Sequence, residues 1–190
     1  MNRAEAGRAA QRSGDNFENS IEAENRGYQM RGKALVDRLR LTGRFVKGKG
    51  FVPGQSPVDF VGSIKVRGAI TTYFMPCCFD AKSFAGDRWS FAEWQPTAKK
   101  HHQLKRLREM AAFGGVAFVL VQCSQPRQTT PRDMFLPPAW LVPLAVVEHF
   151  INLGQWSFSA EFMDSAVAVQ KIRGADWYSS AANLLLKSGV

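Results

Sequence analysis

The sequence predicts an α/β domain, and three stretches carry that prediction. Residues 58–82 read as successive strands, rich in β-branched and aromatic side chains and broken at Arg67-Gly68. Residues 97–113, TAKKHHQLKRLREMAAF, place Leu104, Leu107 and Ala111 at helical spacing within a strongly basic helix, and Gly114-Gly115 end it. The segment that follows, GVAFVLVQ over 115–122, is apolar without alternation, the pattern of a strand covered on both faces. A chain of 190 residues with 45% apolar content is long enough for one domain with a real core.

Taken in order, residues 1–13 hold Arg3, Arg8 and Arg12 among small residues and read as a flexible basic arm. From Asp15 the spacing of Phe17, Ile21 and Tyr28 predicts a helix, with Glu18 beside its apolar stripe. Gly27 and Gly32 can interrupt it, leaving Leu35 and Leu39 in a turn followed by a short strand. Residues 40–55 are basic and glycine-rich and fit a short strand or hairpin that exposes Arg44, Lys47 and Lys49. Strands are expected over 58–66 and 69–74, with Pro76 starting a third. The aromatic stretch 83–96 reads as a loop, in which Trp94 closes the core in preference to stacking on a base. After the run at 115–122, a strand is expected at 133–137, a helix at 141–150, and two short helices near 160–169 and 175–187. The expected organisation is an arm over 1–13, a main domain over 14–150 and a helical extension over 151–190.

The chemistry concentrates in SPVDFVGSIKVRGAITTYFMPCCFDAK, residues 56–82. Side chains two apart on a strand share a face, so Asp80 and Lys82 point one way while Phe79 and Ala81 point into a core. With Asp59 on a neighbouring strand, two carboxylates and one ammonium would meet. Oxygen ligands suit a hard cation such as Mg²⁺, with Mn²⁺ a possible substitute. A lysine beside it can orient a water or stabilise charge on a phosphorane. That is chemistry for cutting a phosphodiester; an isolated Asp-x-Lys is more often a surface ion pair.

A formal charge of +9 favours a polyanionic partner. Arg44, Lys47, Lys49, Lys99, Lys100, Lys105 and Arg106 are candidate contacts to a phosphate backbone. No apolar run reaches membrane-spanning length and no signal peptide is recognisable. Cys77, Cys78 and Cys123 form no C-x-x-C pair, which argues against zinc and for a reducing, cytoplasmic setting. Adjacent residues on a helix point about 100° apart, so His101 and His102 are poorly placed to share one transition metal.

The order of these features resembles a known family. Glu18 on a first helix, Asn25-Arg26-Gly27-Tyr28, Asp59, Asp80-Ala81-Lys82, His102-Gln103 and the 115–122 strand resemble the RecU-type Holliday-junction resolvases, within the PD-(D/E)XK, restriction-endonuclease-like nucleases. The resemblance implies a mixed sheet flanked by helices, a Mg²⁺-dependent homodimer and symmetric nicking of four-way DNA in recombination and repair. It implies Asp59 and Asp80 as metal ligands, Lys82 as the catalytic lysine, Gln103 as a further catalytic and metal-binding position, and Glu18 as a catalytic position. The second acid is Asp80 where the family usually carries Glu, and the span from Asp59 to Asp80 is longer than in the family. Two other functions compete: a nuclease of this fold acting on other branched or single-stranded DNA, and an inactive structure-specific DNA-binding protein.

Overall fold

A computed structural model describes residues 3–39, 43–48, 50–53, 56–68, 71–125 and 137–187. The first helix, α1 (Arg3–Met30), starts well before Asp15, so residues 3–13 are helical in backbone where a flexible arm was expected. It passes through Gly27 and stops where Gly32 takes φ 61°, a conformation glycine adopts without a Cβ penalty. The short strand β1 (Ala34–Arg38) follows. The basic segment forms a hairpin of β2 (Gly43–Val46) and β3 (Gly50–Pro53). Lys49 lies outside the described residues, as does the Arg44 side chain.

Two long strands build the centre: β4 (Phe60–Arg67) and β5 (Thr72–Ala85), joined antiparallel. The three strands expected over 58–82 are therefore two. Pro76 lies within β5 instead of starting a new strand; it sits one residue before β5 begins to pair with β7 (Val116–Gln125) at Cys77. A missing N–H is tolerated where one side of a strand is still open. The aromatic stretch 83–96 is more ordered than a loop: β5 runs into it, β6 (Arg88–Ser90) follows, and a 3₁₀ turn spans Ala92–Trp94. Next comes α2 (His101–Ala112), which buries Gln103, Leu104 and Leu107 but leaves Ala111 exposed.

The strand expected at 133–137 falls largely outside the described residues. A strand does occur at β8 (Ala139–Pro143), and the helix expected from Leu141 starts later, as α3 (Leu144–Asn152). Residues 151–190 are not helix alone. They supply β9 (Ser157–Ser159), α4 (Ala160–Ser165), β10 (Gln170–Ile172) and α5 (Tyr178–Lys187).

The main sheet has the order β1-β4-β5-β7-β8-β10, with β5 and β7 parallel and the other neighbours antiparallel. It is a mixed sheet with helices on both faces, as a restriction-endonuclease-like α/β domain requires. One core packs Phe17, Ile21 and Tyr28 of α1 and Ala181 of α5 against Phe60, Phe79, Phe118 and Leu120. The other packs Leu104 and Leu107 of α2, Val147 of α3 and Met163 of α4 against Val119, Val121 and Cys123. The alternation of β7 between the two cores explains its unbroken apolar sequence. Phe60, Phe79 and Phe118 stand side by side on β4, β5 and β7 and stack at 4.9 and 4.6 Å. That row forms a rigid backing directly behind the next residue of β5, Asp80.

Candidate active site

Asp59 and Asp80 are locked together through the backbone. The Asp59 N–H donates to Asp80 Oδ1 at 3.1 Å, and the Ala81 N–H donates to Asp59 Oδ2 at 2.9 Å. The Leu39 N–H in turn donates to the Asp59 carbonyl at 2.8 Å, so the end of β1 fixes the start of β4. Both carboxylates are thus oriented by main-chain geometry, which costs little reorganisation when a charged group approaches.

Lys82 follows Asp80 on the same face of β5, as the strand period dictates. Its Nζ lies 2.6 Å from Asp80 Oδ2, 3.5 Å from Glu93 Oε1 and 3.9 Å from Asp59 Oδ2. It donates to Gln103 Oε1 at 3.2 Å, and the Trp94 indole N–H donates to the same oxygen at 3.2 Å. Gln103 Oε1 therefore has both lone pairs engaged as placed, and its immediate work is to hold Lys82. Trp94 is fully buried in the second core, as its aromatic surroundings predicted.

Burial raises the Asp80 carboxyl to about 7, with Lys82 opposing the shift and Asp59 adding to it. Burial alone would lower the Lys82 ammonium, but Asp80, Asp59 and Glu93 outweigh it and hold the group above the usual lysine range. Glu18 is half-buried and paired with Arg38. Burial raises its carboxyl, Asp59 adds to the rise, and Arg38 and Lys82 counter it. Glu18 therefore faces the same site across the sheet edge; it is not a solvated helical glutamate.

These groups share a cleft of about 1100 Å³, lined by Glu18, Asp59, Lys82, Glu93, His102 and Gln103, with Arg38, Arg88, Lys99 and Lys100 around them. Asp80 lies fully buried beneath Lys82. Among the other predicted backbone contacts, Lys105 and Lys47 are exposed, Arg106 pairs with Glu109 at 3.2 Å, and Lys100 pairs with Glu93 at 2.9 Å. The histidines serve the scaffold. His101 Nδ1 meets the Trp94 carbonyl at 2.9 Å, and His102 Nε2 meets the Ser56 carbonyl at 2.9 Å, tying α2 to the segment that leads into Asp59. Glu93 escaped the sequence reading, since a single acid in an aromatic stretch carries no spacing signal; only the fold brings it to Lys82.

The site fits a hard divalent cation. Asp80 Oδ2 is buried, and its close partner among the described residues is the Lys82 ammonium at 2.6 Å. Asp59, Asp80 and Glu93 all lie within 4 Å of one ammonium, and the surplus negative charge favours a second cation. Among the described residues no three His, Cys, Asp or Glu side chains form a ready metal cage; Mg²⁺ does not demand one, since it keeps several waters.

A mixed sheet flanked by helices, with an Asp…Asp-x-Lys constellation on its neighbouring central strands β4 and β5, defines a nuclease of the restriction-endonuclease-like class. The family model for RecU, recombination protein U, matches residues 12–131, well over half of the chain. The chain belongs to the RecU family, the Holliday-junction resolvases of DNA recombination, whose activity depends generally on divalent metal. No individual curated protein matches it.

Proposed function

We propose that this RecU-family chain resolves four-way DNA junctions as a Mg²⁺-dependent homodimer, with Mn²⁺ as a substitute, by symmetric phosphodiester hydrolysis in the cytoplasm. The observation that carries this reading is the meeting of Asp59, Asp80 and Lys82 in one cleft, locked by backbone hydrogen bonds and floored by an aromatic row.

In this reading Asp59 and Asp80 hold the ion. When bound, it supplies Lewis-acid polarisation of the phosphate and an acidified water. Lys82, kept as an ammonium by the surrounding carboxylates, places positive charge and hydrogen-bond donors where the phosphorane becomes most negative. Gln103, itself gripped by Trp94, orients Lys82. Glu18, steered by Arg38, lines the cleft and adds negative charge beside Asp59. Lys99 and Lys100 at the cleft, with Lys105, Arg106, Arg44, Lys47 and Lys49, follow the phosphate backbone. The three free, buried cysteines support a reducing compartment.

Labelled four-way, Y-shaped and linear DNA incubated with the purified protein tests the reading. Paired cuts at matching positions are expected on the four-way substrate with Mg²⁺ or Mn²⁺, and none with Ca²⁺. Full cutting in excess EDTA would remove the metal mechanism, and equal cutting of linear duplex would remove the junction preference.

A further inference from the structure

At the far end of β1 and β4 from Asp59 lies a second cavity of about 450 Å³. It is lined by Arg31, Gly32, Lys33, Lys65, Val66, Arg67, Tyr178 and Ala182, four cations and no carboxylate. Several cations elsewhere on the described surface have acidic partners: Arg26 with Glu22, Arg38 with Glu18, Lys100 with Glu93, Arg108 with Glu148 and Lys171 with Asp164. Among the described residues none of these four forms an ion pair. Arg31 and Lys33 also border an adjoining cavity that contains Glu24 and Asp176, but Asp176 is engaged by the Tyr28 hydroxyl at 2.6 Å.

The arrangement carries a cost. The Lys65 N–H donates to the Lys33 carbonyl at 2.8 Å, which continues the β1–β4 ladder and sets two lysines directly opposite each other. Like charges in that position destabilise a sheet. Two of the cations nonetheless lie over aromatic rings, and the Lys65 backbone is tied down. Lys33 Nζ sits 5.3 Å above the Tyr178 ring, Arg31 lies 5.3 Å from the Tyr28 ring, and the Tyr178 hydroxyl donates to the Lys65 carbonyl at 2.7 Å. Four cations around one cavity, with no carboxylate in that cavity's own lining, form a receptor for a polyanion.

We propose that Arg31, Lys33, Lys65 and Arg67 form a second backbone-binding subsite that takes phosphates of a DNA arm remote from the cut. The proposal rests on the resolvase reading for the identity of the polyanion. Lys65 is six residues along β4 from Asp59, roughly 20 Å on an extended strand. That corresponds to about six phosphates along one strand of duplex, at about 3.4 Å of axis each. Lys65 and Arg67, two residues apart, span roughly 6.6 Å, which suits successive backbone contacts more than a single compact anion. The end of β4 and the tail helix α5, which supplies Tyr178, build this subsite together with the turn after α1.

The test compares the parent with Lys33→Gln/Lys65→Gln and, separately, with the exposed Arg67→Gln. Binding to a four-way junction is measured in EDTA across a salt series, alongside melting temperature and the single-turnover cleavage rate at saturating DNA. The double variant should bind about tenfold more weakly at low salt, and its log–log salt slope should be shallower by about 0.9 for each phosphate it no longer neutralises. Arg67→Gln should shift both quantities in the same direction. Cleavage at saturation should be unchanged, and the melting temperature of the double variant unchanged or higher, because a like-charge pair has been removed. Unchanged affinity and slope in both variants would overturn the proposal. So would inorganic phosphate raising the melting temperature of the parent alone while DNA affinity stays equal, which would make this a small-anion site. A parent that binds DNA in EDTA but never cuts would sink the nuclease reading and leave this comparison intact.

Discussion

Asp80 is a carboxylate with no exposure, set in a strand whose neighbours Phe79 and Ala81 face the opposite core. Burial pushes its carboxyl up; Lys82 pulls the other way, and Gln103 and Trp94 hold Lys82 where it can do so. Replacing Gln103 with Leu should therefore have two effects. The Trp94 indole N–H loses its acceptor inside the core, a loss on the order of 1–3 kcal/mol that a thermal or urea melt would show. Lys82 loses an orienting partner, so single-turnover cleavage should slow while junction affinity holds. A Gln103→Leu protein with parental stability and rate would mean the Lys82–Gln103–Trp94 chain is incidental. The strand period was enough to place Asp80 and Lys82 together in the sequence. Gln103 was reached only through family resemblance, and Glu93 not at all, because its approach to Lys82 depends on the path of residues 83–96, which no local pattern encodes.

At the scale of elements, β1 and β4 approach so closely that a Cβ on Gly62 would collide with the Leu35 carbonyl oxygen. Gly62→Ala must push β1 away from β4. Because β1 carries Arg38, the partner of Glu18, and ends beside Asp59, the shift reaches the cleft. The variant should lose stability by about 1–3 kcal/mol, the scale of overpacking, and lose cleavage as well; full retention of both would show that the strands are free to part. Elements with a strong period were legible: α1 through Phe17 and Ile21, α2 through Leu104 and Leu107, β7 through its apolar run. Those whose form is decided by distant partners were not. The apolar stretch at 139–150 splits into β8 and α3 because β7 offers an edge for Ala139–Pro143. Residues 170–172 become a strand only because β8 offers the next edge.

At the scale of the molecule, the segment beyond the family match completes the fold. It adds β8 and β10 to the sheet, and its Trp177 packs against Phe79 and Phe118 and donates to Asn25 at 3.0 Å. The tail thereby buttresses the aromatic row behind Asp80. A four-way junction has two equivalent strands to cut, and two identical sites related by a two-fold axis answer that symmetry. Sedimentation at working concentrations should show a dimer, free or on junction DNA; a strict monomer in both states would favour a simpler nicking enzyme.

In the proposed mechanism Asp80 and Lys82 act in catalysis and are not a structural pair. Gel-shift binding and single-turnover cleavage of a four-way junction, on the same preparations of Asp80→Asn and Lys82→Ala, test it most directly. Both variants should fold and bind the junction about as well as the parent, Asp80→Asn somewhat better because a negative charge near the phosphates is gone. Both should cut at least about a hundredfold more slowly, the scale for losing one preorganised electrostatic group. Undiminished cutting by Lys82→Ala would remove Lys82 from catalysis and leave Asp80-Ala81-Lys82 an ordinary stretch of strand.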